Sequence, residues 1–165
     1  MTSGTVVRRA TLDETEALAQ VYIDSRLKSA DAGQRDLSFD VVHRWLRKSV
    51  IFNEVWVLET VEHGPTGEPA EVIAGVLALT DRELDALDVD PRYRGRGYGD
   101  ALLAHAKEQR PKGLRARVAH GQEATREFLV RNGFEPAPAG AAGTDLWEDL
   151  VWRADRPVAQ VSVQP

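Results

Sequence analysis

The sequence predicts a single-domain fold of the α/β (α+β) class, with a central mixed, mostly antiparallel sheet and helices on both faces. Three observations predict it. The length, 165 residues, suits one domain. Three β-prone runs, Val55 to Val61, Val72 to Leu79 and Glu83 to Val89, follow one another with only turns between them, which makes an antiparallel meander. A further β-prone run, Leu114 to Ala119, comes after a helical stretch, a connection long enough to permit a parallel partner. One domain is expected over residues 1–165, with its core at about 5–153 and a weakly structured tail at 154–165.

Composition removes several classes of function. There is no cysteine, so disulfides, thiolate metal sites and a cysteine acyl carrier are excluded. No run approaches the ~20 apolar residues of a membrane span. Met1 to Arg9 lacks the apolar segment of a secretory signal. The expectation is a cytoplasmic protein that binds no membrane. The formal net charge of -5 argues against nucleic acid and suits a cationic amine. No loop has calcium-ligand spacing and no histidine pair has zinc spacing, so no metal is expected.

Taken in order, Thr5 to Arg9 is a short β-prone run. Thr11 and Glu14 then form a capping box, which opens a helix that buries Leu18, Val21, Tyr22 and Ser25. Ser29 to Gly33 reads as a loop. A second helix starts near Ser38, with Asp40 in its first turn and Val41, Val42, Trp45 and Leu46 on its apolar face. Glu62 to Pro69 is the polar turn between the first two strands of the meander, and Thr80 to Arg82 turns the chain into the third. A helix from Gly99 ends by Pro111. After the strand Leu114 to Ala119, a helix over Glu123 to Asn132 turns Phe128 and Leu129 inward, and Gly133 sits where a left-handed helix terminus belongs. Phe134 begins a short strand, Pro136 to Gly143 a loop, and Asp145 to Arg153 a last strand. Trp147 and Trp152 on that strand are an odd number of residues apart. They therefore point to opposite faces, and at most one can wall a pocket.

The chemistry concentrates after the third strand of the meander. Pro91 stops that strand, because proline has no N–H for a ladder. Between Arg92 and Gly99 lie three glycines and three arginines, and a helix follows with Leu102, Leu103 and Ala106 on one face. Glycines let a backbone approach a ligand closely. The first N–H groups of a helix lack internal partners and favour an anion. The dipole contributes only ~0.3–1 kcal/mol, whereas each charge-assisted hydrogen bond contributes roughly 1.5–3 kcal/mol. Several amides on one phosphate dominate, and Arg94 and Arg96 add cationic forks. The physical reading is a pyrophosphate cradle. It is not a Walker A loop, which ends in Gly-Lys-Ser/Thr where Tyr98-Gly99-Asp100 stands here. It is not the dinucleotide fingerprint either, since the third glycine is replaced by Asp100.

The pattern Arg94-x-x-Gly97-x-Gly99, preceded by Val89-Asp90-Pro91 and followed by Leu102-Leu103, resembles the coenzyme A signature of the GCN5-related N-acetyltransferases, the GNAT superfamily. The element order β-α-α-β-β-β-α-β-α-β-β agrees with that family over about Thr5 to Arg153. Phe128-Leu129-x-x-Asn132-Gly133-Phe134 resembles its usual Phe-Tyr-x-x-x-Gly-Phe helix end. The resemblance implies acetyl-CoA as cosubstrate and a sheet of the GNAT type. The backbone over Leu87, Asp88 and Val89 would pair with pantetheine, and an N–H there would polarise the carbonyl. The amides over Arg94, Gly95, Arg96, Gly97, Tyr98 and Gly99 would hold the pyrophosphate. Gln122 stands where an asparagine often contacts the pantetheine arm, and Phe128 belongs to the same cofactor surface. The family's usual general acid, a tyrosine, is Leu129 here, so the thiolate would take its proton from water or from the departing amine proton.

An amine acceptor has an ordinary pKa near ~10.4 and must lose a proton before it attacks. Among Glu83, Asp85, Asp88 and Asp90, simple alternation puts Glu83 and Asp85 on one face with Leu87 and Val89, roughly 6.6 Å apart along the strand. Two carboxylates at that spacing can raise one pKa toward a useful base value. Some family members carry catalytic groups at these positions, and Glu83 is taken first as the base, Asp85 next. The competing role is a charged strand end or an anchor for the substrate ammonium. His120 is the one histidine near the expected site and reads as a loop residue; His43, His63 and His105 read as surface or helix-face residues.

The expected activity is transfer of an acetyl group to a primary amine by direct attack in a ternary complex, by a monomer or homodimer. The acceptor is a small molecule first, a protein or peptide N-terminus or lysine second. A non-catalytic acyl-CoA-binding module and a nucleotide-binding protein are the alternatives.

Overall fold

The computed structural model of the chain describes residues 4–27, 37–52, 54–138 and 146–154. Strand β1 is Val6–Arg9. A 3₁₀ turn, Leu12–Glu14, leads into helix α1, Thr15–Leu27, and helix α2 follows at Phe39–Ile51. The meander is β2 Val55–His63, β3 Pro69–Thr80 and β4 Glu83–Val89. A second 3₁₀ turn, Pro91–Tyr93, precedes α3, Tyr98–Gln109. Then come β5 Leu114–Ala119, α4 Glu123–Arg131, β6 Glu135–Pro136 and β7 Trp147–Trp152. The sheet has seven strands in the order β1-β2-β3-β4-β5-β7-β6. The pairing is antiparallel except between β4 and β5, where α3 makes the crossover that parallel strands require.

Each face of the sheet buries its own apolar cluster. On one, Leu58, Leu77, Leu79, Ala116, Val118 and Leu150 meet Leu102, Leu103 and Ala106 of α3 and Leu129 of α4. On the other, Val55, Val57, Val76, Ala78 and Ala86 meet Leu18, Tyr22, Val42 and Leu46 of α1 and α2. Alternation along the strands drives both contacts. Two bulges interrupt it, one between β2 and β3 at Leu58/Glu59 and one between β3 and β4 at Ala78/Leu79.

Local chemistry sets the helix ends. The Ser38 hydroxyl accepts the Val41 N–H at 3.4 Å and starts α2. Before α1, Glu14 accepts the Thr11 N–H at 2.9 Å, but the Thr11 hydroxyl donates to Asp13. Gly133 takes φ 90° after α4, the left-handed terminus its position predicts. The apolar face of α2 needs one correction: Val41 is 44% exposed, and the buried stripe is Val42, Leu46 and Val50 at helical spacing, with Trp45 beside it. The predicted loop Ser29–Gly33, most of the loop Pro136–Gly143, Asp145 and the tail from Asp155 lie outside the described residues. Among the described residues no helix is long and apolar enough to cross a membrane.

Candidate active site

The site is a split in the sheet. β4 and β5 pair at one point, Glu83 with Arg115, reinforced by the Arg115 N–H to Arg82 carbonyl bond of 2.8 Å. β4 stays paired with β3 through Val89, so its other edge opens onto a cleft as β5 diverges. The Asp90 N–H donates to the Ala74 carbonyl on β3 at 2.8 Å. Backbone direction alternates along a strand, so the N–H and C=O of Leu87 and Val89 point the other way, into that cleft. At its open end stands the glycine loop. Gly95 and Gly97 have φ 77° and 79°, a left-handed conformation that disfavours a side chain, and Gly97 caps α3. The first turn of α3 closes with the Ala101 N–H to the Gly97 carbonyl at 3.0 Å. The amides of Tyr98, Gly99 and Asp100 therefore precede the helical ladder.

Phe128 closes the cleft from α4. A Cβ on Gly99 would lie 3.5 Å from its ring and 3.9 Å from Leu87, ordinary contact distances, so α3, α4 and β4 converge at this position. Under the loop, Tyr93 is 1% exposed, donates its hydroxyl to Glu62, and carries Arg92 and Arg96 over its ring at 5.3 and 5.2 Å. Burial and the Glu62 carboxylate push its pKa up to about 12, so it is a neutral prop. The Arg92 guanidinium grips the buried Asp90 at 2.9 Å and stiffens the turn. The Tyr98 hydroxyl is hydrogen-bonded to the Thr60 hydroxyl on β2 at 3.2 Å, so it points to the meander.

A polar latch that the sequence reading missed joins α1 to this loop. Asp88, 5% exposed, accepts from Arg26 Nε at 3.0 Å and from the Ser25 hydroxyl at 3.2 Å. Arg94 reaches across to the Ser25 carbonyl at 2.9 Å. The side chain of Asp88 thus faces α1, and its backbone N–H and C=O, like the Asp90 N–H, face β3, so of the expected trio Leu87, Asp88 and Val89 only Leu87 and Val89 turn their backbone groups to the cleft. Arg94, read as a phosphate fork, spends one donor on α1. The signal for this latch was weak, because nothing in sequence links residues 63 positions apart. Replacing Asp88 by Ala leaves the mostly buried Arg26 unpaired, and we expect a loss of about 2–4 kcal/mol. In a chain of this size that is a fall of roughly 5–15 °C in the thermal midpoint, read by circular dichroism.

The expected carboxylate pair is rearranged. The bulge makes Leu84, not Asp85, the partner of Leu79, so Leu84 joins Leu87 and Val89 on the α3 face. Glu83 consequently faces the α1 side, contrary to simple alternation, because one extra residue reverses every side chain beyond it. Glu83 lies 3.6 Å from Arg115 and is 44% exposed. Asp85, the extra residue, accepts from the Thr80 hydroxyl. The side-chain oxygen of Gln122 accepts the Ala119 N–H at 3.0 Å and closes the turn between β5 and α4. Leu129 is 3% exposed, a core residue. His120 directly follows β5 and donates its N–H to the Leu146 carbonyl at 3.0 Å. His43 bonds Thr15 at 3.0 Å, and His105 packs edge-on against Trp56 with its Nε2 buried and its pKa lowered by that burial. The tryptophans do face opposite ways: Trp152 joins the α3 cluster under Lys107, and Trp147 lies on the other face under Arg117.

Beside Glu83, on the same face, Asp149 is 4% exposed and holds two guanidinia, Arg115 and Arg117, the latter at 3.1 Å. Burial alone would raise the Asp149 pKa, but the hydrogen bonds from Arg115 and Arg117 outweigh it and hold the carboxyl below its ordinary range. A folded-state pKa below the unfolded one stabilises the fold above the unfolded value and loses that contribution as pH falls through the folded one. Asp149→Asn should therefore lie below the wild type in thermal midpoint at neutral pH and converge with it in acid, below the usual carboxylate range. A constant gap from neutrality to acid would contradict this.

A family model for the acetyltransferase (GNAT) domain matches residues 52–136, which span β2 to β6 and hold the cleft, the glycine loop and Phe128. The chain belongs to the GNAT acetyltransferase family. Its fold is similar to that of YncA from Salmonella typhimurium, solved with its cofactor acetyl-CoA, at 17% identity and a TM-score of 0.63, covering 97% of this chain and 99% of that one. It is also similar to the PaiA N-acetyltransferase of Thermoplasma acidophilum in complex with coenzyme A, at 14% identity and a TM-score of 0.65, covering 91% and 99%. The apo form of YjaB from Escherichia coli aligns at 22% identity and a TM-score of 0.62, covering 90% and 97%. No curated protein matches the sequence.

Proposed function

We propose that the chain is one acetyl-CoA-dependent N-acetyltransferase domain that acts on a primary amine, first of all a small molecule, without a metal. The observation that carries this is the divergence of β4 and β5 from the Glu83–Arg115 contact, with the glycine loop at the open end. An extended ligand arm fits the cleft edge of Leu87 and Val89, and a pyrophosphate fits the amides over Gly95 to Gly99 with Arg94 and Arg96 beside them. Bound acetyl-CoA supplies the activated acetyl thioester. The amine nitrogen forms the new N–C bond as the C–S bond breaks. Its proton passes to Glu83, or to Asp85 if Glu83 serves only as an anchor, and the thiolate takes a proton from water. The exposure of Glu83 leaves it open to an amine or a bridging water.

Calorimetric titration with acetyl-CoA, followed by thiol release across an amine panel, tests the reading. The chain has no cysteine, so a chromogenic disulfide reports only released coenzyme. We expect micromolar binding and turnover of at least one amine. Binding without turnover would favour the second reading, a non-catalytic acyl-CoA module, which the buried Leu129 at the usual tyrosine position supports. Tighter binding of NAD or ATP than of acetyl-CoA would overturn both.

A further inference from the structure

Arg117 and Arg115 alternate along β5 on the face away from α3, while Leu114, Ala116 and Val118 fill the α3 side. Asp149 on β7 is paired in register with Arg117 and holds both guanidinia from below, its side chain only 2% exposed. Arg117 also lies over Trp147, 4.9 Å from the ring centroid, and its side chain is 47% exposed. The apolar cluster under α1 and α2 includes β2, β3 and β4 residues but none from β5 or β7, so among the described residues neither helix packs its core over this patch.

This arrangement is pre-ordered for an anion. Asp149 is enclosed and already doubly occupied, so a cationic group finds no open carboxylate there, whereas a planar guanidinium fixed by an ion pair and an aromatic ring retains donors for a second carboxylate. The patch lies beside the reacting centre. Arg115 touches Glu83 at the point where the strands part, and Arg117 is two residues further along β5, roughly 6.6 Å toward the open end. We propose that the acceptor is an amine that also carries a carboxylate, its amine at Glu83 and its carboxylate at Arg117. The proposal rests on the acetyltransferase reading and names the substrate class for it.

The test is a thiol-release panel of α-, β- and γ-amino acids, each beside its amide and beside the amine lacking the carboxyl group. The wild type should prefer the carboxylate members in kcat/KM. In Arg117→Met, the ratio of carboxylate to amide kcat/KM should fall at least about tenfold, the size of one lost charged hydrogen bond. Arg117→Lys, which keeps the charge, should recover part of the ratio and guards against misfolding of the first variant. Calorimetric titration with the N-acetylated amino acid and its N-acetylated amide should show binding of the former alone, weakened in Arg117→Met. Preference for amides or decarboxylated amines, an unchanged ratio in Arg117→Met, or no turnover of any carboxylate acceptor would overturn the proposal. Absence of acetyl-CoA binding would instead sink the acetyltransferase reading beneath it.

Discussion

Gly97→Glu should abolish acetyl-CoA binding while the chain still folds. Gly97 caps α3 at φ 79°, and a Cβ built there meets nothing within 4 Å. The fold therefore bears only backbone strain, about 1–2 kcal/mol for a side chain in the left-handed region, or a few degrees of thermal midpoint. Binding suffers twice. The new carboxylate sits at the amides that an anion must use, and it repels the pyrophosphate. Losing one charged hydrogen bond together with that repulsion predicts at least a ~100-fold weaker association. Gly97→Ala separates the causes: it carries the strain without the charge and should lose less than about tenfold. Calorimetry on the two variants, with circular dichroism for folding, gives the answer. Wild-type affinity in Gly97→Glu would mean that the ligand does not use the start of α3.

Glu83→Gln should lower turnover by about 100-fold and leave acetyl-CoA affinity within twofold. A positioned base contributes typically ~10²–10⁴ in rate, and the amide cannot take the proton. The substitution is nearly isosteric. The contact it weakens is a half-exposed ion pair with Arg115 at 3.6 Å, worth at most about 1 kcal/mol at a surface, so the fold is undisturbed. The measurement is a pH–rate profile on the best acceptor from the thiol-release panel. A variant that follows the wild-type rate at every pH removes Glu83 as base and moves the assignment to Asp85, for which Asp85→Asn is the corresponding test.

Much of the fold is written in short-range patterns. Pro91, the glycines at 95, 97 and 99 and the apolar spacing of Leu102, Leu103 and Ala106 announce a strand, a loop and a helix, because each acts on the backbone within a few residues. The same is true of Ser38 before α2, Gly133 after α4 and the meander's alternation. The glycine loop was legible for that reason: its shape rests on backbone conformations, φ 77° at Gly95 and 79° at Gly97, that glycine favours.

The rest of the site depends on pairing between distant strands. Alternation predicts one face for Glu83, Asp85, Leu87 and Val89, but the extra residue at Asp85 reverses the register, and a bulge leaves no mark in composition. Nothing in the spacing tells that the Gln122 side chain takes the Ala119 N–H in the turn after β5. The Asp88–Arg26–Ser25 latch and the Asp149–Arg115–Arg117 group join residues from separate elements. The sequence by itself determined the order of elements and the glycine loop before α3, since these are local. Only the tertiary structure decided which carboxylates face which way and which arginines meet, because charged side chains are partnered by whatever the sheet order brings beside them.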